Sequence, residues 1–337
     1  DWPSTLIKTC GLDVGVPPDQ TGNSEVGHQN IGAGRIVDQE VVRISKACDS
    51  GEIGGNPAIA AAIQQAKARN GYLHLMGIAS DAGVHGLLNH LYALMRAAKA
   101  AGLTKVAIHL CTDGRDTPPF SGKGFIADVE AKIREIGVGQ IATVMGRYYA
   151  MARDFRWERV KRAFDALTVH HDPSTQAMAP TATAALETYY KNPTTPSQEG
   201  DEFVPPTIVA ADIASAKATR ITDGDAVIFY NYRGDRPREI SMAFILPDEQ
   251  WAKVKPSPDS GKPGFDRGTK LNLHFVAMTA WAETLLPYMH VAFDKPPKLE
   301  MIAGELLSSM GLHQFRCTAT AKYPVITLFF YDYHNNP

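Results

Sequence analysis

The alternation of strand-like and helix-like segments constrains the fold of this chain more than any other feature. The predicted strands are Tyr72–Ile78, Lys105–Cys111, Ile141–Met145, Ala226–Tyr232, Leu273–Met278 and Val325–Phe330. The predicted helices are Ala58–Arg69, Leu87–Ala101, Phe125–Ile136, Asp154–Leu167 and Met301–Met310. Strands that alternate with helices are typical of an α/β fold with a largely parallel sheet.

Local signals fix several element ends and loops. Asn56-Pro57 predicts a helix cap followed by a first-turn proline, and Gly102 predicts a helix end. The polar stretches Asn192–Glu202 and Lys255–Gly268 predict loops, because Pro and Gly oppose both helix and strand. Two short segments are candidate interdomain connectors, Val37–Glu40 and Ala292–Pro297.

Length and composition exclude several functional classes. A chain of 337 residues predicts roughly two domains. The net charge is −2, from 34 Lys and Arg against 36 Asp and Glu, so no nucleic-acid partner is expected. The four cysteines are far apart and form no C-x-x-C pair, which argues against zinc and redox motifs and favours reduced thiols. No signal peptide and no apolar run of about 18 residues is present, so we expect neither export nor a membrane span.

A serine lies between glycines in the segment Gly22–His28, which is followed by Ile31–Arg35. Ser24 could therefore lie on a tight turn at a helix N-terminus, where backbone N–H groups favour a phosphate. As a nucleophile it would need a metal ion or a lysine, because no local base accompanies it. On composition alone a plain Gly-rich turn is the better interpretation. Gly32-Ala33-Gly34 is at most half of a dinucleotide-binding fingerprint.

Polar segments follow four predicted strands in succession. They are Asp81–His85, Thr112–Pro119, Gly146–Arg153 and Asn231–Arg236. Ligands of α/β proteins bind at the carboxyl ends of strands, and arginine forks match phosphate and carboxylate oxygens. The pattern predicts a cationic pocket for a small, doubly anionic ligand. A single arginine is more often a solvated surface charge, His85 could be a structural histidine, and Asp116 could be an acid/base group or could only orient Arg115.

These motifs resemble the 2,3-bisphosphoglycerate-independent phosphoglycerate mutases of the bacterial type. Gly22–His28 with Asn30–Val37 resembles that family's nucleophile signature. Three further segments match in the family's order, Asp113–Pro119, Gly146–Trp157 and Asp223–Arg236. The resemblance covers nearly the whole chain. It implies that 3-phosphoglycerate and 2-phosphoglycerate are interconverted, in glycolysis and gluconeogenesis, through a phosphoserine and without 2,3-bisphosphoglycerate.

The resemblance also implies an architecture. Residues 1–38 and 292–337 would form part of an alkaline-phosphatase-like domain, and residues 39–290 would form an inserted α/β transferase domain that holds the substrate. Closure of the two domains would keep water away from the phosphoserine. A cytoplasmic monomer with a small-molecule substrate is expected.

The family's residue roles carry over to matching positions. Ser24 would accept the phosphoryl group and would also bind one of two divalent metal ions, manganese being expected. Lys322 would neutralise the phosphate and the serine alkoxide, and Asp116 would carry the proton at the glycerate hydroxyl. The residues implied to hold the glycerate are His85, Arg115, Asp116, Arg147, Arg153, Arg233 and Arg236.

Departures from the family pattern limit what we expect of this chain. The family's terminal Asp and His metal ligands are not found, so Ser24 alone would remain of that set and the 337-residue chain is expected to be inactive by itself. Further departures occur at Thr21, Gly86, Leu87, Ala152, Gly234, Ala282, Ala319, Ala321 and Pro324. One alternative is a non-catalytic or degenerate phosphoglycerate-binding fragment. Another is a phosphopentomutase or phosphatase, but a phosphatase would not need arginines that retain its alcohol product.

Overall fold

The computed structural model describes residues 3–18, 20–319, 323 and 325–332. The chain divides into two compact units, Asp1–Lys46 with Lys295–Pro337 and Ala47–Asp294. The predicted domains, 1–38 with 292–337 and 39–290, stay a prediction, because compactness does not show that each part folds separately.

An eight-stranded sheet forms the centre of the Ala47–Asp294 unit. Its strands are β1 Leu73–Ala79, β2 Val106–Thr112, β3 Gln140–Gly146, β4 Ala177–Ala179, β5 Thr207–Val209, β6 Ala226–Phe229, β7 His274–Thr279 and β8 His290–Phe293. Across the sheet the order is β4-β5-β3-β2-β1-β6-β7-β8. Every neighbouring pair is parallel except β3 with β5. The predicted α/β class with a largely parallel sheet is confirmed.

Twelve α-helices accompany the sheet in the described part of the chain. They are α1 Ser24–Ala33, α2 Glu40–Asp49, α3 Pro57–Ala68, α4 Leu88–Ala100, α5 Gly122–Ile136, α6 Arg147–Ala150, α7 Trp157–Leu167, α8 Ala182–Lys191, α9 Ile213–Ala218, α10 Arg238–Ile245, α11 Asp248–Trp251 and α12 Ala303–Ser309. None of these helices has the length and apolarity needed to span a membrane.

Helix ends follow the local signals of the sequence. The Asn56 side chain accepts hydrogen bonds from the N–H groups of Ala58 and Ile59, and Pro57 is the first residue of α3. Gly102 follows the last turn of α4 with φ 80°, a conformation that glycine adopts without strain. Both predicted ends are confirmed.

A buried aromatic cluster joins α7 and α10 to the sheet. Trp157 and Phe164 of α7, Phe244 of α10 and Phe275 of β7 are each at most 2% exposed. Burial of a phenylalanine side chain stabilises a fold by roughly 1.5–3 kcal/mol. This cluster therefore holds α7 and α10 against the sheet.

Two predicted boundaries are wrong for identifiable reasons. The strand predicted at Ala226–Tyr232 ends at Phe229, because the Asn231 side chain takes over the pairing and accepts the N–H of Ile78 at 3.0 Å. The helix predicted from Asp154 begins at Trp157, since Phe155 has φ 59° and cannot continue a right-handed helix. The predicted connector Ala292–Pro297 begins inside β8, and the division between the two units, between Asp294 and Lys295, falls within it.

In the other unit, Val325–Phe329 forms a π-helical turn and not the predicted strand. The β-branched residues favour a strand locally, but a strand needs a neighbour to pair with. Here the segment packs on α1. The contact is close, because a Cβ added to Gly32 would lie only 2.0 Å from the Phe330 carbonyl oxygen. Tertiary contact overrides local propensity at this position.

Candidate functional site

The four strands that carry the polar segments are neighbours in the sheet. β3, β2, β1 and β6 lie side by side and parallel, so the segments after them meet at one edge. The chain order reverses between β1 and β6, which is where open α/β sheets bind their ligands.

A buried ion pair forms the base of this edge. Asp113, directly after β2, accepts hydrogen bonds from the N–H groups of Arg115 at 3.2 Å and Asp116 at 3.0 Å. Arg147, directly after β3, donates from Nη1 to Asp113 at 2.6 Å, and each side chain is 1% exposed. Burial alone would raise the pKa of Asp113, but the Asp116 N–H and the Arg147 guanidinium outweigh it and lower that pKa. Asp113 therefore stays ionised and fixes both the turn and the arginine.

Close backbone approach explains two glycines at this edge. Gly146 ends β3, and a Cβ there would lie 2.0 Å from the Glu202 carbonyl oxygen. Gly114 has φ 65°, and its Cβ would lie 2.8 Å from the Glu202 backbone nitrogen. The Thr112 hydroxyl donates to the Asp201 carbonyl at 2.7 Å. The segment that contains Asp201 and Glu202 therefore packs directly on the ends of β2 and β3.

His85 lies over the buried ion pair. Its Nε2 is 2.8 Å from Arg147 Nη2. Burial and the adjacent Arg147 lower the pKa of His85 to about 4, against smaller opposing effects of nearby carboxylates. The ring is therefore neutral at neutral pH. Because Nε2 faces an arginine donor, we assign the proton to Nδ1, which lies 3.6 Å from Asp235 Oδ1.

Arg147 also contacts the carboxylate that the sequence suggested as an acid/base group. Its Nη1 donates to Asp116 Oδ2 at 2.6 Å, and the Asp116 side chain is 23% exposed. The same carboxylate lies 3.6 Å from His85 Nε2. Asp116 thus contacts the buried Arg147 while its own side chain stays partly accessible to solvent.

The remaining arginines surround this base. Asp235 accepts from Arg153 at 2.8 Å and lies 3.3 Å from Arg233 Nε, and both arginines are about half exposed. Arg115, also about half exposed, donates to Glu202 at 3.3 Å.

Arg236 donates to the Met151 carbonyl at 3.1 Å. Burial lowers the pKa of its guanidinium, and nearby arginines lower that pKa further. These neighbours are Arg147, Arg153 and Arg115. Arg236 therefore lies within electrostatic reach of the arginines that follow β2 and β3, as a focused cationic surface requires.

Residues 44–283 match the family model for the N-terminal part of BPG-independent phosphoglycerate mutases. The chain belongs to this family. It is 49% identical to a 2,3-bisphosphoglycerate-independent phosphoglycerate mutase of Rhodopirellula baltica. The alignment covers 100% of this chain and 60% of that protein. A mutase of the same name from Myxococcus xanthus is 44% identical over 98% of this chain and 59% of its own length.

A solved structure agrees with the sequence match. The crystal structure of Leishmania mexicana phosphoglycerate mutase at low cobalt concentration superposes with a TM-score of 0.70 at 30% identity, over 99% of this chain and 58% of that chain. The chain thus spans about 60% of the length of the family members that it matches.

The residues that the sequence resemblance implies to hold the glycerate are close together in the Ala47–Asp294 unit. They are His85, Arg115, Asp116, Arg147, Arg153, Arg233 and Arg236. Ser24, which the sequence resemblance implies to be the nucleophile, belongs to the other unit, where it is exposed and is the first residue of α1. Asn23 caps that helix by accepting the Val26 N–H at 3.1 Å. Lys322 lies outside the described residues.

Sequence reasoning missed the carboxylates that hold the arginines. Asp113 and Asp235 each stand beside an arginine in the segments already singled out, so alternation of acid and base was an available signal. Glu202 gave no such signal, because it belongs to a stretch predicted only as a loop. Its role depends on the packing of that stretch on Gly114 and Gly146.

The departures from the family pattern fit their surroundings where they are described. Ala152 is 4% exposed, and Ala282 packs against the aromatic cluster. A Cβ on Gly234 would lie 2.7 Å from Trp281 Cα. Thr21 forms a β-bridge with Cys10 and Ala319 is exposed, while Ala321 and Pro324 lie outside the described residues.

The part of the chain that the structure describes does not form a metal centre by itself. It contains no group of three or more His, Cys, Asp or Glu side chains arranged to hold a metal ion. Ser24 is therefore not accompanied by a ligand set within the described residues.

Proposed function

We propose that this chain holds phosphoglycerate for a cofactor-independent phosphoglycerate mutase, which interconverts 3-phosphoglycerate and 2-phosphoglycerate. The observation that carries the proposal is the arginine cluster at the ends of β2, β3 and β6, beside His85 after β1, in a chain of this family. Phosphoglycerate presents a carboxylate and a phosphate, and arginine forks bind both groups in bidentate geometry.

The residues divide into a fixed base and an adjustable rim. Arg147 is buried and hydrogen-bonded to carboxylates, so it would supply a fixed positive charge beneath the glycerate. Arg115, Arg153 and Arg233 are half exposed and paired with carboxylates on the surface. Such surface pairs are worth at most about 1 kcal/mol, so an anionic ligand can exchange for the carboxylate partners.

Asp116 is the proposed proton carrier. In this proposal Asp116 gives a proton to the glycerate oxygen that loses the phosphoryl group, and it recovers a proton from the other hydroxyl when that oxygen receives the group. The neutral His85 ring lies beside it without adding a charge, with Nε2 toward Asp116 and Nδ1 toward Asp235.

Ser24 is the proposed phosphoryl acceptor. Its Oγ would take the group from one glycerate oxygen, the glycerate would reorient, and the group would pass to the other oxygen. The N-terminus of α1 favours phosphate there, and Lys322 is proposed to neutralise the alkoxide. Two divalent metal ions, manganese in our proposal, would lower the pKa of the serine hydroxyl. The described residues by themselves do not supply a ligand set for these ions.

Calorimetric titration of the 337-residue chain with 3-phosphoglycerate tests the proposal. Arg233→Ala removes a half-exposed arginine of the cluster and should weaken binding about tenfold or more, since hydrogen bonds between charged groups are strong. Arg134→Ala, an exposed arginine on α5, is the matched control and should bind like the wild type. Equal affinity of the wild type and Arg233→Ala would refute the assignment.

A second candidate is a phosphoglycerate-binding protein without turnover. The absence of a metal-ligand group in the described part of the chain favours it. Incubation with Mn²⁺ and 3-phosphoglycerate separates the two, because only a catalytic chain forms phosphoserine at Ser24 and releases 2-phosphoglycerate. Mass spectrometry detects the first product, and Ser24→Ala must abolish it.

A monomeric, cytoplasmic protein is part of the same proposal and rests on the family resemblance. Sedimentation equilibrium of the chain would measure the first property, and a concentration-dependent increase in mass would contradict it.

A further inference from the structure

A buried carboxylate lies just outside the arginine cluster and has no role in the chemistry proposed above. Glu239, in the first turn of α10, is 3% exposed. Its Oε1 accepts the backbone N–H of Phe155 at 2.6 Å. Its Oε2 has no hydrogen-bond partner among the described residues. An ionisable group that is buried with only one partner needs an explanation.

The partner residue has an unusual backbone. Phe155 has φ 59°, in the left-handed region that costs a non-glycine residue roughly 1–2 kcal/mol. Its ring packs against Trp157, and Lys255 Nζ lies 4.9 Å from the ring centroid. The Glu239 hydrogen bond and this packing together hold the chain in a conformation that Phe155 would not adopt by itself.

That conformation directs the loop that carries Arg153. The loop contacts the segment after β6 and the start of α10 at four points. Two are Arg236 to the Met151 carbonyl and Arg153 to Asp235. The other two are Asn231 Nδ2 to Met151 Sδ at 3.7 Å and the Phe155 N–H to Glu239. The first two contacts use arginines that a ligand would engage. The Asn231 and Glu239 contacts involve no proposed ligand-binding group, so both can persist when the arginines change partners. A thioether sulfur is a weak acceptor, so the Glu239 contact is the stronger of the two.

We propose that Glu239 is a positioning residue, which holds the Arg153 loop against the start of α10 so that Arg153 and Arg236 meet phosphoglycerate as one preformed set. The proposal rests on the proposed function. A loop that is fixed before binding loses less conformational entropy when the ligand arrives, so its arginines bind more tightly.

The electrostatic surroundings of Glu239 support a contact of variable strength. The pKa of Glu239 is raised to about 7, mainly by burial. Asp154 adds to this rise, whereas the Phe155 N–H and Arg159 oppose it. The ionised carboxylate accepts an N–H more strongly than the protonated acid does. The contact should therefore strengthen as the pH rises through neutrality.

Titrations with 3-phosphoglycerate test the proposal. Glu239→Ala removes the acceptor and should raise the Kd about tenfold, whereas Glu239→Gln keeps an acceptor oxygen and should raise it less than about threefold at pH 6. Ser241→Ala is the matched control, because Ser241 is equally buried in α10 but bonds only to the Pro237 carbonyl at 2.7 Å. It should leave the Kd unchanged.

Two further readouts separate positioning from general stability. The ratio of the Kd of Glu239→Gln to that of the wild type should grow from pH 6 to pH 8, which a purely structural role would not produce. Amide hydrogen exchange should show protection of the Phe155 N–H in the wild type and its loss in Glu239→Ala.

The outcomes are distinguishable. Loss of Phe155 protection with an unchanged Kd would overturn the positioning role and leave the proposed function intact. Absence of binding by the wild type would refute the proposed function and the positioning role with it. If Glu239→Ala does not fold, a pH-independent ratio for Glu239→Gln overturns the proposal and a ratio that grows with pH supports it.

Discussion

Replacement of Arg147 by methionine is a direct test of the buried base of the site. Arg147 is 1% exposed, and its guanidinium donates to Asp113, Asp116 and His85 at 2.6, 2.6 and 2.8 Å. Methionine fills a similar volume without a charge. Asp113, also 1% exposed, would keep the backbone N–H groups of the following turn and the Ser80 hydroxyl as its partners.

The cost follows from the charge left behind. Removing one partner of a buried ion pair typically destabilises a protein by about 3–5 kcal/mol, because the remaining charge is desolvated and unpaired. In the wild type the pKa of Asp113 is lowered, so the pair adds stability above the unfolded-state pKa, and that stability is lost as the pH falls through the folded-state value. In the variant, burial still raises the pKa of Asp113 and only the Asp116 N–H and Ser80 oppose it, so this pKa lies higher than in the wild type. Relative to the wild type, stability is then lost as the pH rises, and the deficit should be largest near neutral pH.

Urea unfolding at pH 4 and pH 7.5, followed by tryptophan fluorescence, measures this deficit. Trp157, Trp251 and Trp281 are buried in the same unit and report on its unfolding. We expect a loss of about 3–5 kcal/mol at pH 7.5 and a loss smaller by at least about 1 kcal/mol at pH 4.

A double variant and a control complete this experiment. Arg147→Met combined with Asp113→Asn removes both charges and should recover at least half of the stability lost by Arg147→Met alone. Arg134→Ala should change the unfolding free energy by less than about 0.5 kcal/mol. A deficit that is equal at both pH values, or a double variant no more stable than Arg147→Met, would refute the reasoning.

Three further predictions concern other positions. Gly146→Ala should destabilise the chain by about 1–3 kcal/mol in urea unfolding, because its Cβ would lie 2.0 Å from the Glu202 carbonyl oxygen. The control Gly124→Ala, whose Cβ would have nothing within 4 Å, should be neutral or stabilising, and equal losses at the two positions would contradict the packing argument. The pKa of Glu239, about 7 against 4.5 for the free side chain, corresponds to about 3 kcal/mol of stability lost as the pH rises from 4.5 to 8, so Glu239→Gln should gain about that much relative to the wild type over this range. A pH-independent difference would show that Glu239 does not carry this shift. Ser24→Ala should change the unfolding free energy by less than about 0.5 kcal/mol, since Ser24 is exposed, and a larger loss would indicate a structural role.

The convergence of the polar segments could be expected from the sequence because parallel strands are directional. Residues that follow β1, β2, β3 and β6 must lie at the carboxyl edge of one sheet if those strands are parallel. The sequence did not give their lateral order. That order depends on how the connections cross between strands. The two short strands β4 and β5, which lie between β3 and β6 in the chain, were also not predicted from the sequence.

The pairing of each arginine could not be predicted. Arg147 and Arg153 are similar in sequence context, yet the first is buried on Asp113 and the second is half exposed on Asp235. Burial depends on which backbone closes over a side chain. Here Glu202, distant in sequence, packs over the end of β3.

The sequence by itself determined the α/β class, the family and the residue types available at the sheet edge. Alternating hydrophobic segments set secondary structure, and the motifs carry the chemistry. Only the tertiary structure decided which arginine is fixed and which is free to exchange partners, that Phe155 interrupts the start of α7, and that Glu239 supports the loop before it. These outcomes depend on contacts between residues distant in sequence. The free energy of burying a polar group with or without a partner exceeds the conformational preference of a single residue.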